Sequence, residues 1–173
     1  MGRNQLTTAP VLWMLLGCLL TLHLSSHAAA DESTDAISAI KKIGGSVRPS
    51  GDAWEVDFHL RGRGLTDEGL QHVAALKDVA SLNLRNTKVT SAGLVHLAGL
   101  EKLRWLHLEK TAIGDEGIDH LAGLPNLEYL NLYGTKITDK SLDRLTGCKN
   151  LRRLFVWQTE VTDAGVARLE KSL

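Results

Sequence analysis

The chain has 173 residues, of which 43% are apolar and 23% charged, so it can bury the core of one ordinary globular domain and is not intrinsically disordered. Lys plus Arg and Asp plus Glu number 20 each, which leaves no basic excess to neutralise phosphates. The composition therefore argues against nucleic acid as a partner.

Residues 1–30 have the pattern of an export signal. Arg3 supplies a positive start, Val11–Leu24 is largely apolar, and Ala28–Ala30 forms an A-x-A cleavage site before Asp31. The apolar stretch is shorter than the ~20 residues that a membrane-spanning helix needs. We predict a cleaved signal peptide, a secreted or periplasmic mature chain, and membrane contact only during export.

The segment Leu15–Cys18 resembles a bacterial lipobox, which would make the chain a membrane-anchored lipoprotein with lipid on Cys18. Leu16 is bulky for that motif and apolar residues continue beyond Cys18, so we favour a cysteine inside a signal peptide. Cleavage would leave Cys148 as the only cysteine, and the exported fold would be held by its core without a disulfide.

Residues 31–54 are predicted to form an N-terminal cap. The pattern indicates a helix, a strand, a turn and a second strand, at Asp35–Ile43, Ser46–Arg48, residues 49–52 and Trp54–Leu60. In the second strand the apolar positions alternate, at Trp54, Val56, Phe58 and Leu60. Such a helix–hairpin unit would cover the open end of a repeat array.

Residues 55–173 follow a 24-residue repeat. Units begin at Val79, Leu103, Leu127 and Leu151. Counting back 24 residues from Val79 gives a fifth unit from Glu55, which matches without a gap at Phe58, Leu60, Leu65, Gly69, Leu70, Val73 and Leu76. Self-similarity at this period is the mark of a solenoid.

Each unit reads as a strand followed by a helix. The strand has an L-x-x-L-x-L pattern with one buried face, and the T-D-x-G-L segment after it supplies a helix N-cap. The helix spans about two turns. It should stop at Ala75, Gly99, Gly123 and Gly147, where glycine tolerates the left-handed conformation common at helix ends.

Stacked units would give an α/β solenoid with a concave parallel sheet and convex helices. The form L-x-x-L-x-L-x-x-T-x-[IV]-T-D-x-G-L resembles the leucine-rich-repeat family, most of all exported bacterial members, and is similar to F-box-type repeats. The resemblance implies a structural hydrogen-bond ladder through the bends, from Thr87, Thr111, Thr135 and Thr159, with Arg63 breaking it in the first unit. Leu169 and Leu173 finish the last helix without a matching cap, which suggests an edge for self-association.

No catalytic or cofactor motif accompanies the repeat. There is no G-x-S-x-G elbow, and Arg61–Gly64 lacks the Lys-Ser/Thr ending of a phosphate loop. His72, His96 and His120 recur on the helical side, but neighbouring helices are too far apart for the ~2.1 Å bonds of a shared metal. We predict no enzyme, no cofactor and no metal site.

Cys148 stands where the other units carry Leu, so a small buried core residue is expected, with a reactive thiol as the alternative.

The outward side chains of the strands are the candidate site. Alternation places them at Asp57, His59, Arg61, Ser81, Asn83, Arg85, Trp105, His107, Glu109, Tyr129, Asn131, Tyr133, Arg153, Phe155 and Trp157. Five of the eight aromatic residues of the chain lie in this set. We select as ligand-binding Arg85, Trp105, His107, Glu109, Tyr129, Asn131, Tyr133, Arg153, Phe155 and Trp157. The alternative is that the aromatic rings only shield the sheet.

These residues predict a non-catalytic, exported protein-interaction module that binds through its concave face. The family resemblance implies a protein ligand. A cell-envelope glycan is the second hypothesis, because stacked aromatic rings also bind sugars. An enzyme is the third hypothesis and has the least support in the sequence.

Overall fold

A computed structural model describes residues 32–172, in which short helical segments cover one face of a six-stranded sheet. Helix α1 covers residues 32–42, and the remaining elements are β1 (Ser46–Ser50), β2 (Ala53–Asp57), α2 (Leu70–Ala74), β3 (Val79–Asn83), β4 (Trp105–His107), α3 (Asp115–Ile118), β5 (Tyr129–Asn131), α4 (Asp139–Leu145), β6 (Arg153–Phe155) and α5 (Asp163–Glu170). Two 3-10 segments add Asp67–Gly69 and Ser91–Leu97. The predicted signal peptide and Cys18 lie outside the described residues. No helix within residues 32–172 is long and apolar enough to cross a membrane.

The sheet follows the order of the chain, from β1 to β6. β1 and β2 pair antiparallel, and every later pair is parallel. The register aligns Leu82, Leu106, Leu130 and Leu154 across four strands. Because a one-residue slip would turn these leucines to the other face, burial sets this register. The chain therefore has a leucine-rich-repeat-like α/β fold, which confirms the predicted fold class.

One apolar core runs between the sheet and the helical segments. It begins at Ala36 and Ile40 of α1, contains the fully buried Leu130, and reaches Leu169 of α5. Cys148 is 1% exposed within it, which confirms the predicted core position. Burial raises the pKa of the Cys148 thiol to about 11, so the thiol stays protonated and weakly nucleophilic near neutral pH.

The first unit departs from the 24-residue period. Phe58 and Leu84 make the same hydrogen bond to the next strand, yet Leu65 follows Phe58 by seven residues whereas Val89 follows Leu84 by five. The register also shifts between Trp54 and Glu55. The ungapped count is therefore wrong, because the bend after β2 is two residues longer than the others.

Two sequence expectations fail as a result of this longer bend. Leu60, predicted to be buried, is 74% exposed because β2 ends at Asp57. Arg61 and Arg63 lie in the bend and match neither an outward strand position nor the threonine position of the later units.

A left-handed residue forms each later bend. Asn86, Lys110, Gly134 and Gln158 have φ of 57°, 55°, 67° and 55°, at 24-residue spacing. Helical segments do end beside Ala75, Gly99 and Gly147. The left-handed conformation expected at the helix ends is wrong, however, since Ala75, Gly99, Gly123 and Gly147 do not have positive φ. The sharp reversal of the chain occurs after the strand, and only Gly134 adopts it without a steric cost from a side chain.

The threonines after these residues act within their own bends. The hydroxyl of Thr87 donates to Leu84 O at 2.7 Å, and Thr111, Thr135 and Thr159 donate to the equivalent carbonyls at 2.6 Å. Their structural role is as expected, but these bonds do not run from unit to unit. The predicted ladder is therefore wrong in its connectivity.

Three of the connections between neighbouring units are carboxylate clamps that the sequence analysis missed, whereas between the units of β3 and β4 the hydroxyl of Ser91 accepts from Gly114 N at 2.9 Å. The carboxylate of Asp115 accepts from Thr138 N and Oγ1, both at 2.8 Å, and Asp139 holds Thr162 with the same distances. Asp67 holds Thr90 in the same way, at 2.7 and 2.6 Å. Asp67, Asp115 and Asp139 thus bind the threonine of the next unit instead of capping their own helical segments.

The clamp also explains the glycine of the T-D-x-G motif. A Cβ on Gly165 would collide with the Asp139 carboxylate, so no larger residue fits without a shift. The threonine of the next unit meanwhile caps its own helical segment, as when Thr162 Oγ1 accepts from Gly165 N at 3.2 Å. One motif therefore joins neighbouring units and starts a helix.

Candidate binding face

The face of the sheet opposite the helical segments carries three rows of side chains, and we refer to it as the open face. The parallel register aligns the first row as Glu55, Ser81, Trp105, Tyr129 and Arg153, and the second as Asp57, Asn83, His107, Asn131 and Phe155. Backbone bonds beyond the strands align the third row as Arg85, Glu109, Tyr133 and Trp157. All ten predicted site residues lie in these rows.

At the β2–β3 end of the open face, the polar groups bind one another. His59 Nδ1 lies 2.8 Å from Asp57 Oδ1, and Asn83 Nδ2 donates to Asp57 Oδ2 at 3.2 Å. All three residues are half-buried. Since the imidazole and the carboxylate satisfy each other, this end presents a pre-paired polar surface.

An aromatic line crosses the middle of the face. The ring centroids of His107 and Tyr129 are 4.8 Å apart, and those of Tyr129 and Phe155 are 5.3 Å apart, both tilted. Asn131 Nδ2 donates to the Tyr129 hydroxyl at 3.2 Å, which holds that ring in place. The spacing follows from the separation of neighbouring strands, about 4.8 Å.

Three of the rings are covered by cations of the chain itself. The Arg104 guanidinium lies 4.5 Å from the Trp105 ring centre, Arg153 lies 5.5 Å from Tyr129, and Lys110 Nζ lies 5.7 Å from Tyr133. Arg104 also pairs with Glu128 at 2.9 Å, and Trp105 beneath this ion pair is half-buried. Strand alternation assigns Arg104 and Lys110 to no row, and therefore sequence analysis missed them.

Phe155 and Trp157 differ from the covered rings. They are 45% and 78% exposed, and no cation lies over either ring within the described part of the chain. Phe155 ends β6 and Trp157 follows two residues later on the same face. They form the most exposed aromatic surface of residues 32–172.

Glu109 contradicts one expectation. It was expected to be an accessible polar contact, but it is buried, at 7% exposure. Its Oε1 lies 3.1 Å from His107 Nδ1, and its Oε2 has no hydrogen-bond partner among the described residues. Burial depends on the side chains of neighbouring strands, which alternation along one strand does not report.

The recurrent histidines lie on the other side of the molecule. His72, His96 and His120 are half-buried on or beside the helical segments. Within residues 32–172, no three His, Cys, Asp or Glu side chains come together in a group that could hold a metal ion.

No family model matches the chain, and no curated protein matches it. Similar solved structures include internalin C2 of Listeria monocytogenes, with 31% identity over 57% of this chain and 42% of that chain and a TM-score of 0.49. Internalin InlF of the same organism has 26% identity over 58% and 35%, with a TM-score of 0.43. A plant ice-binding protein has 24% identity over 56% and 32%, with a TM-score of 0.42.

The matched region spans less than half the length of each of these solved proteins. The leucine-rich-repeat-like fold of this chain rests on its own strand register and leucine core.

Proposed function

We propose that the chain is an exported, non-catalytic interaction module that binds a protein partner through the open face. The observation that carries the proposal is the exposed aromatic pair Phe155 and Trp157, at 45% and 78% exposure. Monomeric proteins seldom leave adjacent large aromatic rings in water, and such rings are common anchors of protein interfaces. Arg153 and Arg85, both exposed, supply charge at the margin of the face.

The ten candidate residues take different parts in this proposal. Phe155 and Trp157 are the anchors, because they are the most exposed rings of the face and no cation of the described chain lies over either. Tyr129 and Tyr133 extend the aromatic surface but already carry a cation each. Trp105, held under Arg104, contributes mainly to the stability of the face.

The absence of catalysis is part of the proposal, and the pairing of reactive groups supports it. His59 is bonded to Asp57, and His107 to Glu109, so each imidazole orients a carboxylate of its own strand region. The one thiol in the described residues, Cys148, is buried and protonated. These groups favour binding over nucleophilic chemistry.

Export is likewise a proposal, with residues 1–30 as a signal peptide, 31–54 as a cap and 55–173 as the repeat domain. Mass spectrometry of the exported protein is expected to show an N-terminus at or near Asp31. Recovery of a lipid-modified Cys18 would instead make the chain a membrane-anchored lipoprotein.

The binding proposal is tested by affinity capture with the exported chain as bait. We expect the double variant Phe155→Ala, Trp157→Ala to abolish capture of a protein from envelope extract. Its melting temperature should change no more than is usual for substitutions at the protein surface. Leu60→Ala is the matched control, because Leu60 is 74% exposed but lies outside the three rows.

Capture that persists in the well-folded double variant would contradict the role of the open face. Binding to a glycan array without any captured protein would replace the proposed partner class with a carbohydrate.

A further inference from the structure

One buried oxygen of the open face lacks a hydrogen-bond donor. Glu109 is 7% exposed, and its Oε2 has no partner among the described residues. A buried, unsatisfied carboxylate oxygen destabilises the free protein, and folded proteins rarely retain one without a reason. Since the Oε1 atom lies 3.1 Å from Nδ1 of His107 in β4, the carboxylate is located at the centre of the open face.

The surrounding donors are engaged elsewhere. His107 Nδ1 is already at 3.1 Å from Oε1. Lys110, which follows Glu109 in the chain, places Nζ over the Tyr133 ring. Arg85 is the third-row neighbour of Glu109 but makes no ion pair with it in the described chain. The vacant acceptor is thus the result of how these three cationic or polar side chains are placed.

We infer that Glu109 is the acceptor of a subsite for a cationic side chain of the partner, with an arginine guanidinium as the best fit. This inference rests on the proposed binding function of the open face. A cation would complete the coordination of the carboxylate through a charge-assisted hydrogen bond, which is stronger than a neutral one. It would also stabilise the one buried carboxylate whose second oxygen has no partner in residues 32–172.

The neighbouring rings favour the guanidinium. Tyr133 lies beside Glu109 in the third row, and Tyr129 lies beside His107. Both rings already accept cations of this chain, at 5.7 and 5.5 Å. A planar guanidinium donates several parallel N–H groups and stacks on an aromatic face at the same time, whereas an ammonium does not.

The inference requires that the side chains beside Glu109 can move aside for the partner's cation. The His107 side chain is 31% exposed, and Lys110 is exposed to solvent. Rotation of such side chains is fast and needs no change in the sheet.

The test uses N-acetylarginine methylamide as the probe, titrated into isotope-labelled full chain and followed by amide chemical shifts. We expect saturable shifts at residues 107–110 and 131–134, at millimolar concentrations. The citrulline analogue has nearly the same shape without the charge and is expected to bind at least about tenfold more weakly. This comparison needs no variant of the protein.

Two variants sharpen the test. Glu109→Gln should weaken arginine binding at least about tenfold while leaving the melting temperature unchanged or raised, because it removes a buried unsatisfied charge. Glu55→Gln is the matched control, since Glu55 lies in the first row of the same face with its side chain 43% exposed. It should leave probe binding unchanged.

Equal binding of the arginine and citrulline probes would overturn the inference. So would full arginine affinity in Glu109→Gln, or a lowered melting temperature of that variant together with retained affinity, which would make Glu109 a structural residue. The probe involves no protein partner, so failure of the subsite is distinct from failure of Phe155 and Trp157 to support capture.

Discussion

The two ends of the open face consist of similar strands but use their side chains differently. Near β2 and β3, Asp57, His59 and Asn83 bind one another and stay half-buried. Near β6, Phe155 and Trp157 are exposed, and no cation of the described residues lies over either ring. Both ends stand on the same leucine core, so the difference comes only from the outward positions. Residue type alone thus does not mark a contact surface, because internal partners decide which groups remain available.

The middle of the face follows the same rule. Trp105 and Trp157 are both tryptophans at outward positions, yet Arg104 covers the first while the second is 78% exposed. His107 and Glu109 form a pair that leaves one oxygen unused. From β2 to β6, the side chains of the face therefore change from groups paired with one another to groups available to a partner.

The largest expected effect removes the support shared by both ends. Leu130→Ala deletes a fully buried side chain of β5, and we expect a loss of about 2 to 5 kcal/mol in the free energy of unfolding. Chemical denaturation measures it. Val95→Ala, at a 51% exposed position on the helical side, should change the value by less than about 0.5 kcal/mol. A loss that small in Leu130→Ala would mean that the register is wrong.

The next effect separates the two tryptophans. Trp157→Ala is expected to weaken partner binding by about 2 kcal/mol or more with little change in stability. Trp105→Ala should lower stability by about 1 to 3 kcal/mol through lost packing under Arg104 and affect binding less. Calorimetric binding and thermal melting of both variants check the split. A reversal of the two patterns would refute this change across the face.

The third effect concerns the clamp between the units of β4 and β5. Burial of Asp115 opposes its ionisation, but hydrogen bonds from Ser141 and Thr138 outweigh burial and lower the pKa of this carboxyl below its ordinary 3.8. Its contribution to stability is therefore present above pH 3.8 and is lost as pH falls through the lowered folded value.

We expect Asp115→Asn to destabilise the chain by about 1 kcal/mol at neutral pH and to flatten the loss of stability at acid pH. Denaturation midpoints between pH 2 and 7 measure both effects. Asp163→Asn is the matched control, because Asp163 occupies the same motif position but holds no threonine in the described residues. An unchanged acid slope in Asp115→Asn would contradict the clamp.

The smallest effect lies in the bend beside Trp157. Gln158 has φ of 55°, which disfavours any side chain, so Gln158→Gly should raise stability by about 0.5 to 1 kcal/mol. Gly134 occupies the equivalent position with φ of 67°, and Gly134→Ala should lower stability by about 1 kcal/mol. Thermal melting measures both substitutions. Partner binding in Gln158→Gly should persist, because the open-face rings are unaltered.

Much of the fold could be predicted from the chain itself. The period located β3 to β6 and the buried leucines, because alternation along a strand directly reports its two faces. The same period failed in the first unit. Leu60 stands where the 24-residue count expects a buried apolar residue, so the count gave no sign of the longer bend. The conformation at the helix ends was also wrongly predicted, because glycine occurs at positions of negative φ as well as of positive φ.

For the candidate site, the sequence determined which side chains face away from the core, since that depends only on local alternation. The tertiary structure decided which of them remain available. The cover of Arg104 over Trp105, the burial of Glu109 and the Asp115–Thr138 clamp depend on three-dimensional packing around each side chain. In the clamp the partners are 23 residues apart, and only stacking of successive units brings them within hydrogen-bond distance.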